Sequence, residues 1–421
     1  MLGRGSLVTV GEARRIFYEA FAVPRLASEA VPITGALRRV LASDIVSDVT
    51  LPAFPRSSMD GYAVSARDTF GATDSMPAYL SISGEVLMGE EAVTRVHKGQ
   101  AMRISTGGML PPGSDAVVML EHSQLLPDGT LEVSRPVAPA ENVLAPGEDV
   151  REGETLLAGG HRLRPQDLGA LAGIGVTEVE VFKRPRVAVI NTGNEIIEAA
   201  ATPRPGQVRD VNSYNLAGLV VQAGGEPVLM GIYKDDYADI KGAVEKALEV
   251  SEIVAVTGGS SVGTRDLTAK VIGELGGGPG AGVLVHGVSV RPGKPVIIGI
   301  AAGKPVFGLP GHPVAVTVSF ELFIRPLIGR LTGLVDRLGL SGIPPVRVAK
   351  ARMARNYSSA PGREDHIRVA LDLLEGELWA RPILGKSGLI TTLVRADGSV
   401  VIPLEKTGLE KGEVVEVEIF D

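Results

Sequence analysis

The chain has 421 residues, 44% hydrophobic and 22% charged, with 53 glycines and 28 prolines. That length exceeds one ordinary core and points to about three domains, and the composition is that of a folded protein, not a disordered one. A formal net charge of −7 excludes a global field for nucleic acid or anionic membrane, and zero cysteines exclude disulfides and thiolate metal sites.

Val10–Ala22 carries Ile16, Phe17, Ala20 and Phe21 at helical spacing. A second helix is expected near Thr34–Leu41, with Thr34 as its cap. From Leu51 the texture changes to short runs separated by Gly, Pro and Asp. Tyr79–Ile82, Ala101–Ile104, Ala116–Leu120 and Leu131–Val133 read as a small β-rich insert over 51–139. Pro165 opens a short helix that stops around Gly173. Residues 1–50 and 140–184 are expected to form one discontinuous helical and extended domain around the insert.

Residues 185–332 alternate continuous apolar runs with helical patterns. Val187–Ile190 enters Asn191–Glu195, and a helix over Ser213–Gln222 precedes a strand at Pro227–Ile232. A helix over Tyr237–Val250 leads to the strand Ile253–Val256 and the glycine-rich Thr257–Gly263. Asp266–Leu275 reads as helix, Val296–Ile300 and Pro305–Phe307 as strands, and His312–Leu331 as one long helix. Apolar strands alternating with helices predict a doubly wound, mostly parallel sheet covered on both faces. After Thr332 short runs return at Val346–Ala351, His366–Leu371, Glu377–Pro382, Val400–Pro403 and Val414–Ile419, predicting a small β-barrel over 333–421. The whole reads as a multidomain α/β and β protein. No stretch approaches the ~20 apolar residues of a membrane span, and Met1–Glu19 lacks an apolar signal core. A soluble, cytoplasmic protein without nucleic-acid or membrane partners is expected.

In an open α/β sheet, ligands bind beyond the carboxyl ends of the strands. That rule selects Thr192–Glu195, Thr257–Asp266 and Gly308–Pro313. In the second loop, backbone N–H groups of Gly258, Gly259, Ser260 and Ser261 at the start of a helix form a phosphate cradle or else a structural turn. It lacks the Gly-Lys-Ser/Thr of a Walker A loop and the G-x-G-x-x-G spacing of a dinucleotide site. Arg291-Pro292-Gly293-Lys294-Pro295 places two cations on a proline-stiffened loop, against the plainer reading of a solvated turn. Glu195, Asp235 or Asp236, and Asp266 either cap helices and pair with cations, or converge on Mg²⁺ and ligand phosphates. His312 alone reads as a helix-capping or solvated residue. In the insert, Pro55–Ala63 and Arg103–Pro111 are polar glycine loops whose purpose periodicity does not reveal.

These stretches resemble, in this order, the MoeA/gephyrin-E family. The matching positions are Met59–Ala63, Ser105–Gly107, Ala116–Val118 with Glu121, Thr192–Glu195 and Asp235-Asp236. They continue through Gly258–Asp266, Pro292–Pro295, Gly308–Gly311 with Pro313, Gly362-Arg363 with Arg368, and Ser387-Gly388. The resemblance implies four domains: 1–50 with 140–184, the 51–139 insert, a MogA-like α/β domain over 185–332, and the barrel over 333–421. It implies an elongated homodimer with a cleft across the subunit boundary. It further implies an Mg²⁺-dependent enzyme that inserts molybdate into adenylylated molybdopterin, releasing AMP and molybdenum cofactor.

Carried over by position, the resemblance makes Asp60, Thr106, Glu195, Asp235 and Asp266 residues needed for activity, with Glu195, Asp235 and Asp266 toward the metal. Arg291, Lys294, Pro310 and Pro313 match the basic loop and its neighbour, and Arg363 and Ser387 match barrel residues facing the cleft. Gly287 stands where many members carry a lysine, Arg291 replaces a frequent lysine, and His312 replaces the commoner asparagine of its turn. Tungstate matches molybdate in size and charge, and transient contact with the molybdopterin adenylyltransferase is implied. The competing readings are the adenylyltransferase step itself and a gephyrin-like scaffold. The insert and barrel loops argue against the first; the lack of a long linker or second α/β domain argues against the second.

Overall fold

The computed structural model describes residues 7–258, 262–278, 280–335 and 346–420, with only the helical backbone described at 262–266. The chain divides into two compact units: residues 43–159 with 165–177, and the remaining described residues.

The first unit is built on a six-stranded sheet in the order Ala116–Met119, Gly61–Val64, Gln100–Ile104, Ala78–Glu85, Thr130–Val133, Ser123–Leu125. Its pairings are antiparallel except that of Ala78–Glu85 with Gln100–Ile104. Alternate residues enter two cores: Tyr62, Val64, Ala101 and Val118 on one face, Ala63, Met102, Ile104 and Val117 on the other. Burial on both faces is why these short strands are apolar throughout instead of alternating with polar residues. The helix Pro165–Gly173 begins at its proline, and belongs to this unit.

The second unit contains the α/β sheet, ordered Glu226–Tyr233, Arg186–Thr192, Ile253–Gly258, Lys304–Leu309, Ile297–Ala301, Gly282–His286. The first four strands are parallel and the last two pairings antiparallel, so the sheet is parallel where the sequence reads as alternating strand and helix. Helices cover both faces. Leu216, Val220, Phe320 and Leu327 pack on one face with Val187 and Phe307, while Ile240, Val244, Val271 and Ile272 pack on the other. The helix Val10–Ala20 joins the first of these cores through Val10, Ala13 and Phe17, with the Phe17 and Phe307 rings 5.7 Å apart. Thr9 and Glu12 close its N-terminus in a reciprocal capping box.

Two expected helices differ. Thr34–Leu41 holds only a 3₁₀ turn, Ile33–Gly35, preceded by Pro32 and not capped by Thr34. Arg38 takes a left-handed φ of 64°, and Val40 and Leu41 bridge to Arg162 and Val181. The apolar spacing therefore reflects burial of an extended segment, not a helical face. The single helix expected over His312–Leu331 is Pro313–Ser319, a π turn at Phe320–Ile324, and Arg325–Leu331. Pro326 has no N–H to give the Leu322 carbonyl, which accepts a 2.9 Å hydrogen bond from Arg14 Nε instead.

The C-terminal strands Glu364–Leu374, Glu377–Pro382, Val348–Met353, Val414–Ile419 and Gly398–Ile402 close into a barrel, the last pairing back onto the first. Met353, Ile367, Val369, Val400 and Val417 fill it. The two-residue strand Val290–Arg291 adds in parallel to Glu364–Leu374, so a residue of the basic loop is delivered to the barrel edge. Among the described residues no helix is long and apolar enough to cross a membrane.

Candidate active site

Three loops at the carboxyl ends of adjacent strands are tied together by buried polar groups. Thr257 Oγ1 donates to the Pro310 carbonyl at 3.2 Å. Asn212 Nδ2 donates both to Thr257 Oγ1 at 3.1 Å and to the Gly311 carbonyl at 2.9 Å. Asn191 Nδ2 donates to Asp210 Oδ1 at 2.6 Å, and the same oxygen accepts the Ser213 N–H at 3.0 Å. Gly258 sits at φ +134°, where a Cβ would lie 1.9 Å from the Thr192 carbonyl oxygen. Only glycine allows the first two loops to approach this closely. Asp210 and Asn212 were not singled out in the sequence, because a buried polar pair between a turn and a helix has no periodic signature.

The helix Val262–Gly276 starts four residues after Gly258, and a helix N-terminus offers backbone N–H groups and a positive dipole end to an anion. Gly259, Ser260, Ser261 and the side chain of Asp266 lie outside the described residues. Glu195 and Asp235 follow the paired strand-end residues Thr192 and Tyr233, and the Asp235 N–H donates to Asn194 Oδ1 at 3.3 Å. Asp236 is the helix cap of the pair, accepting from Ala238 and Asp239 N–H groups at 2.8 and 3.2 Å. Among the described residues no three His, Asp or Glu side chains converge as a metal cluster. Glu195 and Asp235 fit a magnesium site by chemistry, as two hard carboxylates on neighbouring loops, with phosphate oxygens and water left to complete the octahedron.

Arg291 and Arg363 are brought together by a residue that sequence reading missed. The Asp365 side chain is 1% exposed and lies 3.5 Å from Arg291 Nε and 3.1 Å from Arg363 Nε. Ser359 Oγ donates to it at 2.7 Å, and Arg291 Nη2 donates to the Tyr357 hydroxyl at 2.9 Å. A buried carboxylate shared by two arginines fixes them in place. The only advance signal was the acidic position two residues after Arg363. Lys294 is exposed and makes no ion pair among the described residues, so its charge is free to meet an anion.

Pro310 contributes its carbonyl to the loop staple, and Pro313 is the first residue of its helix. His312 occupies the helix-cap position without capping through its side chain. Its Nδ1 lies 2.9 Å from Ser387 Oγ, and the Ser387 carbonyl accepts the Val314 N–H at 3.2 Å. His312 is exposed at the helix-cap position, in line with its plain reading, and it also joins the α/β rim to the barrel loop. At Gly287 the backbone is left-handed, at φ +99°, and Leu7 stands 2.7 Å from where a Cβ would be. No cation comes from that position.

In the other unit, Asp60 Oδ1 accepts the Thr106 N–H at 2.7 Å and its hydroxyl at 3.0 Å. Asp60 precedes and Thr106 follows strands paired through Gly61 and Ile104, and the two loops also exchange hydrogen bonds between Ser57 and Gly107 and Gly108. The two Thr106 hydrogen bonds, aided by Arg103, hold the exposed Asp60 carboxyl below its ordinary pKa. Asp60 is therefore a fixed, ionised oxygen pair at the surface of its unit.

Three protein-family profiles match in chain order: "MoeA N-terminal region (domain I and II)" over residues 8–175, "Probable molybdopterin binding domain" over 188–330, and "MoeA C-terminal region (domain IV)" over 350–420. A molybdopterin molybdenumtransferase from a Nostoc species is 34% identical, covering 93% of this chain and 90% of its own length. One from Bacillus subtilis is 32% identical, covering 93% and 89%. The crystal structure of a molybdopterin biosynthesis MoeA protein from Pyrococcus horikoshii aligns with a TM-score of 0.83 at 32% identity, covering 99% of this chain and all of that one. With its order of sheet, loops and barrel matched from end to end, the chain belongs to the MoeA family of molybdopterin molybdenumtransferases, enzymes of molybdenum cofactor biosynthesis.

Proposed function

We propose that the chain inserts molybdate into adenylylated molybdopterin with Mg²⁺, acting at the three-loop rim and releasing AMP. The observation that supports this reading is that one unit holds the stapled loops, the Ser387–His312 contact that ties a barrel loop to them, the Asp365-anchored arginines and the exposed Lys294. Cleaving a phosphoanhydride requires neutralised phosphates and a positioned oxygen nucleophile. Gly258 and the helix after it suit a phosphate, while Lys294 and Arg291 suit a tetrahedral oxyanion. Mg²⁺, when bound, neutralises phosphate charge; Glu195 and Asp235 would hold it, with Asp266 as third carboxylate. Asp60, fixed and ionised by its hydrogen bonds from Thr106, is a further carboxylate that this reading needs for activity. This rests on four domains divided at 1–50 with 140–184, 51–139, 185–332 and 333–421, in a homodimer that meets the adenylyltransferase transiently. Tungstate satisfies the same charge and shape, and substitutes for molybdate in this reading.

The test mixes the protein with adenylylated molybdopterin, Mg²⁺ and molybdate. AMP release that depends on molybdate supports insertion; consumption of ATP with free molybdopterin points to the adenylyltransferase step, and absence of both to a scaffold. In the same assay Asp266→Ala abolishes turnover with the fold retained, and unchanged turnover removes Asp266 from the site.

A further inference from the structure

A large cavity of the described residues has a lining of its own, distinct from the anion-binding residues of the three-loop rim. Its volume is about 640 Å³, and it opens between the helices Val10–Ala20, Asn212–Ala223 and Arg325–Leu331 and the barrel strands Glu364–Leu374, Gly398–Ile402 and Val414–Ile419. Gly258, Lys294 and Pro310 do not line it. Five arginines and three glutamates do, in a chain whose formal net charge is −7. The cavity is thus basic against the sign of the whole molecule.

The local partners do not use up that charge. Arg325 is satisfied by Glu321 at 2.7 Å, and Glu364 meets His366 Nε2 at 2.7 Å. Arg14 spends Nε on the Leu322 carbonyl left vacant by Pro326. Arg330 stacks 3.9 Å over the Tyr18 ring, and its Nε is buried without a hydrogen-bond partner, as is Nε of Arg368. Burial pushes the Arg14 and Arg368 guanidinium groups below their ordinary pKa, yet arginine remains charged at any physiological pH. Partly desolvated cations in excess of their anions are costly unless a ligand completes them. Leu219, Val318 and Leu322 line the cavity with apolar surface, and the volume falls in the ~300–1,000 Å³ range of small-molecule sites.

We propose that this cavity is a second binding site, for a small organic anion with a phosphate or carboxylate head and an apolar body. The head meets Arg14, Arg330 and Arg347, and the body lies against Leu219 and Val318. The enclosed volume favours such a ligand over an extended acidic peptide. This inference is independent of the proposed insertion reaction.

Calorimetric titration of the full chain with phenyl phosphate at low salt tests it. One site per chain in addition to the rim is expected, weakened at least about tenfold, or 1.4 kcal/mol, by Arg14→Gln and by Arg330→Gln. Arg14→Lys retains most of the affinity. Arg347 is exposed, so Arg347→Gln weakens binding without risk to the fold and keeps the test valid if a buried variant does not fold. Lys294→Gln leaves the site that responds to the Arg14 and Arg330 variants unchanged. The proposal is overturned if no saturable binding is found, including the case where only an oligoglutamate peptide binds. It is also overturned if the arginine variants bind as well as the parent, or if Lys294→Gln abolishes binding and so places the ligand at the rim.

Discussion

Asp60 and Asp365 are both carboxylates held by fixed donors, but their exposures give them different duties. Asp60 is exposed and kept ionised by two hydrogen bonds from Thr106. Thr106→Val removes the hydroxyl donor and leaves the backbone one, so the Asp60 pKa rises toward its ordinary value. Because the native pKa is the depressed one, the anion is stabilised above the ordinary value and lost as pH falls through the lowered value. The variant therefore loses ionised Asp60 at a higher pH than the parent. Carboxyl-carbon NMR titration reads this directly; an unchanged midpoint removes the Thr106 hydroxyl as a cause and leaves its backbone N–H. Asp365, by contrast, is buried and organises Arg291 and Arg363. Asp365→Asn is expected to cost about 2–3 kcal/mol of stability, the range for hydrogen bonds to a charged group. It also lowers molybdate-dependent turnover about 100-fold by misplacing the cations. Chemical denaturation and the AMP-release assay measure the two effects, and full activity in a destabilised protein would make Asp365 purely structural.

At the scale of elements, close approach and interruption decide more than propensity. Gly258→Ala puts a methyl group against the Thr192 carbonyl at a left-handed φ, with an expected loss of about 2–5 kcal/mol from strain and overpacking. A melting temperature within a degree of the parent would refute that packing. The helices Val10–Ala20 and Tyr237–Val250 were legible because each buries a periodic apolar set, the parallel strands as continuous apolar runs, and Pro165–Gly173 by its opening proline. The segment 34–41 was not, since Val40 and Leu41 are buried by β-bridges while their spacing imitates a helix. The π turn at Phe320–Ile324 was invisible too, because its cause is an unmet carbonyl that a residue over 300 positions away satisfies. Among the loops, the sequence located the three strand ends but not the Asn212 staple between them. A hydrogen bond between residues 45 or 99 positions apart has no local pattern.

For the whole molecule, the homodimer reading predicts that sedimentation equilibrium returns twice the 43.9 kDa chain mass at micromolar protein. A monomer at all concentrations that retained molybdate-dependent AMP release would end the homodimer reading. Composition and periodicity, acting through neighbours a few residues apart, determined by themselves the alternation of strands and helices, the β-rich insert, the barrel and the glycine loops at strand ends. Only the tertiary structure decided that Asp365 binds Arg291 to Arg363, that His312 reaches Ser387, and that five arginines line one cavity. The physical reason is range: apolar burial repeats with the backbone period and so is written locally, whereas a charge or hydrogen bond takes its meaning from whatever the fold brings within about 3 Å of it.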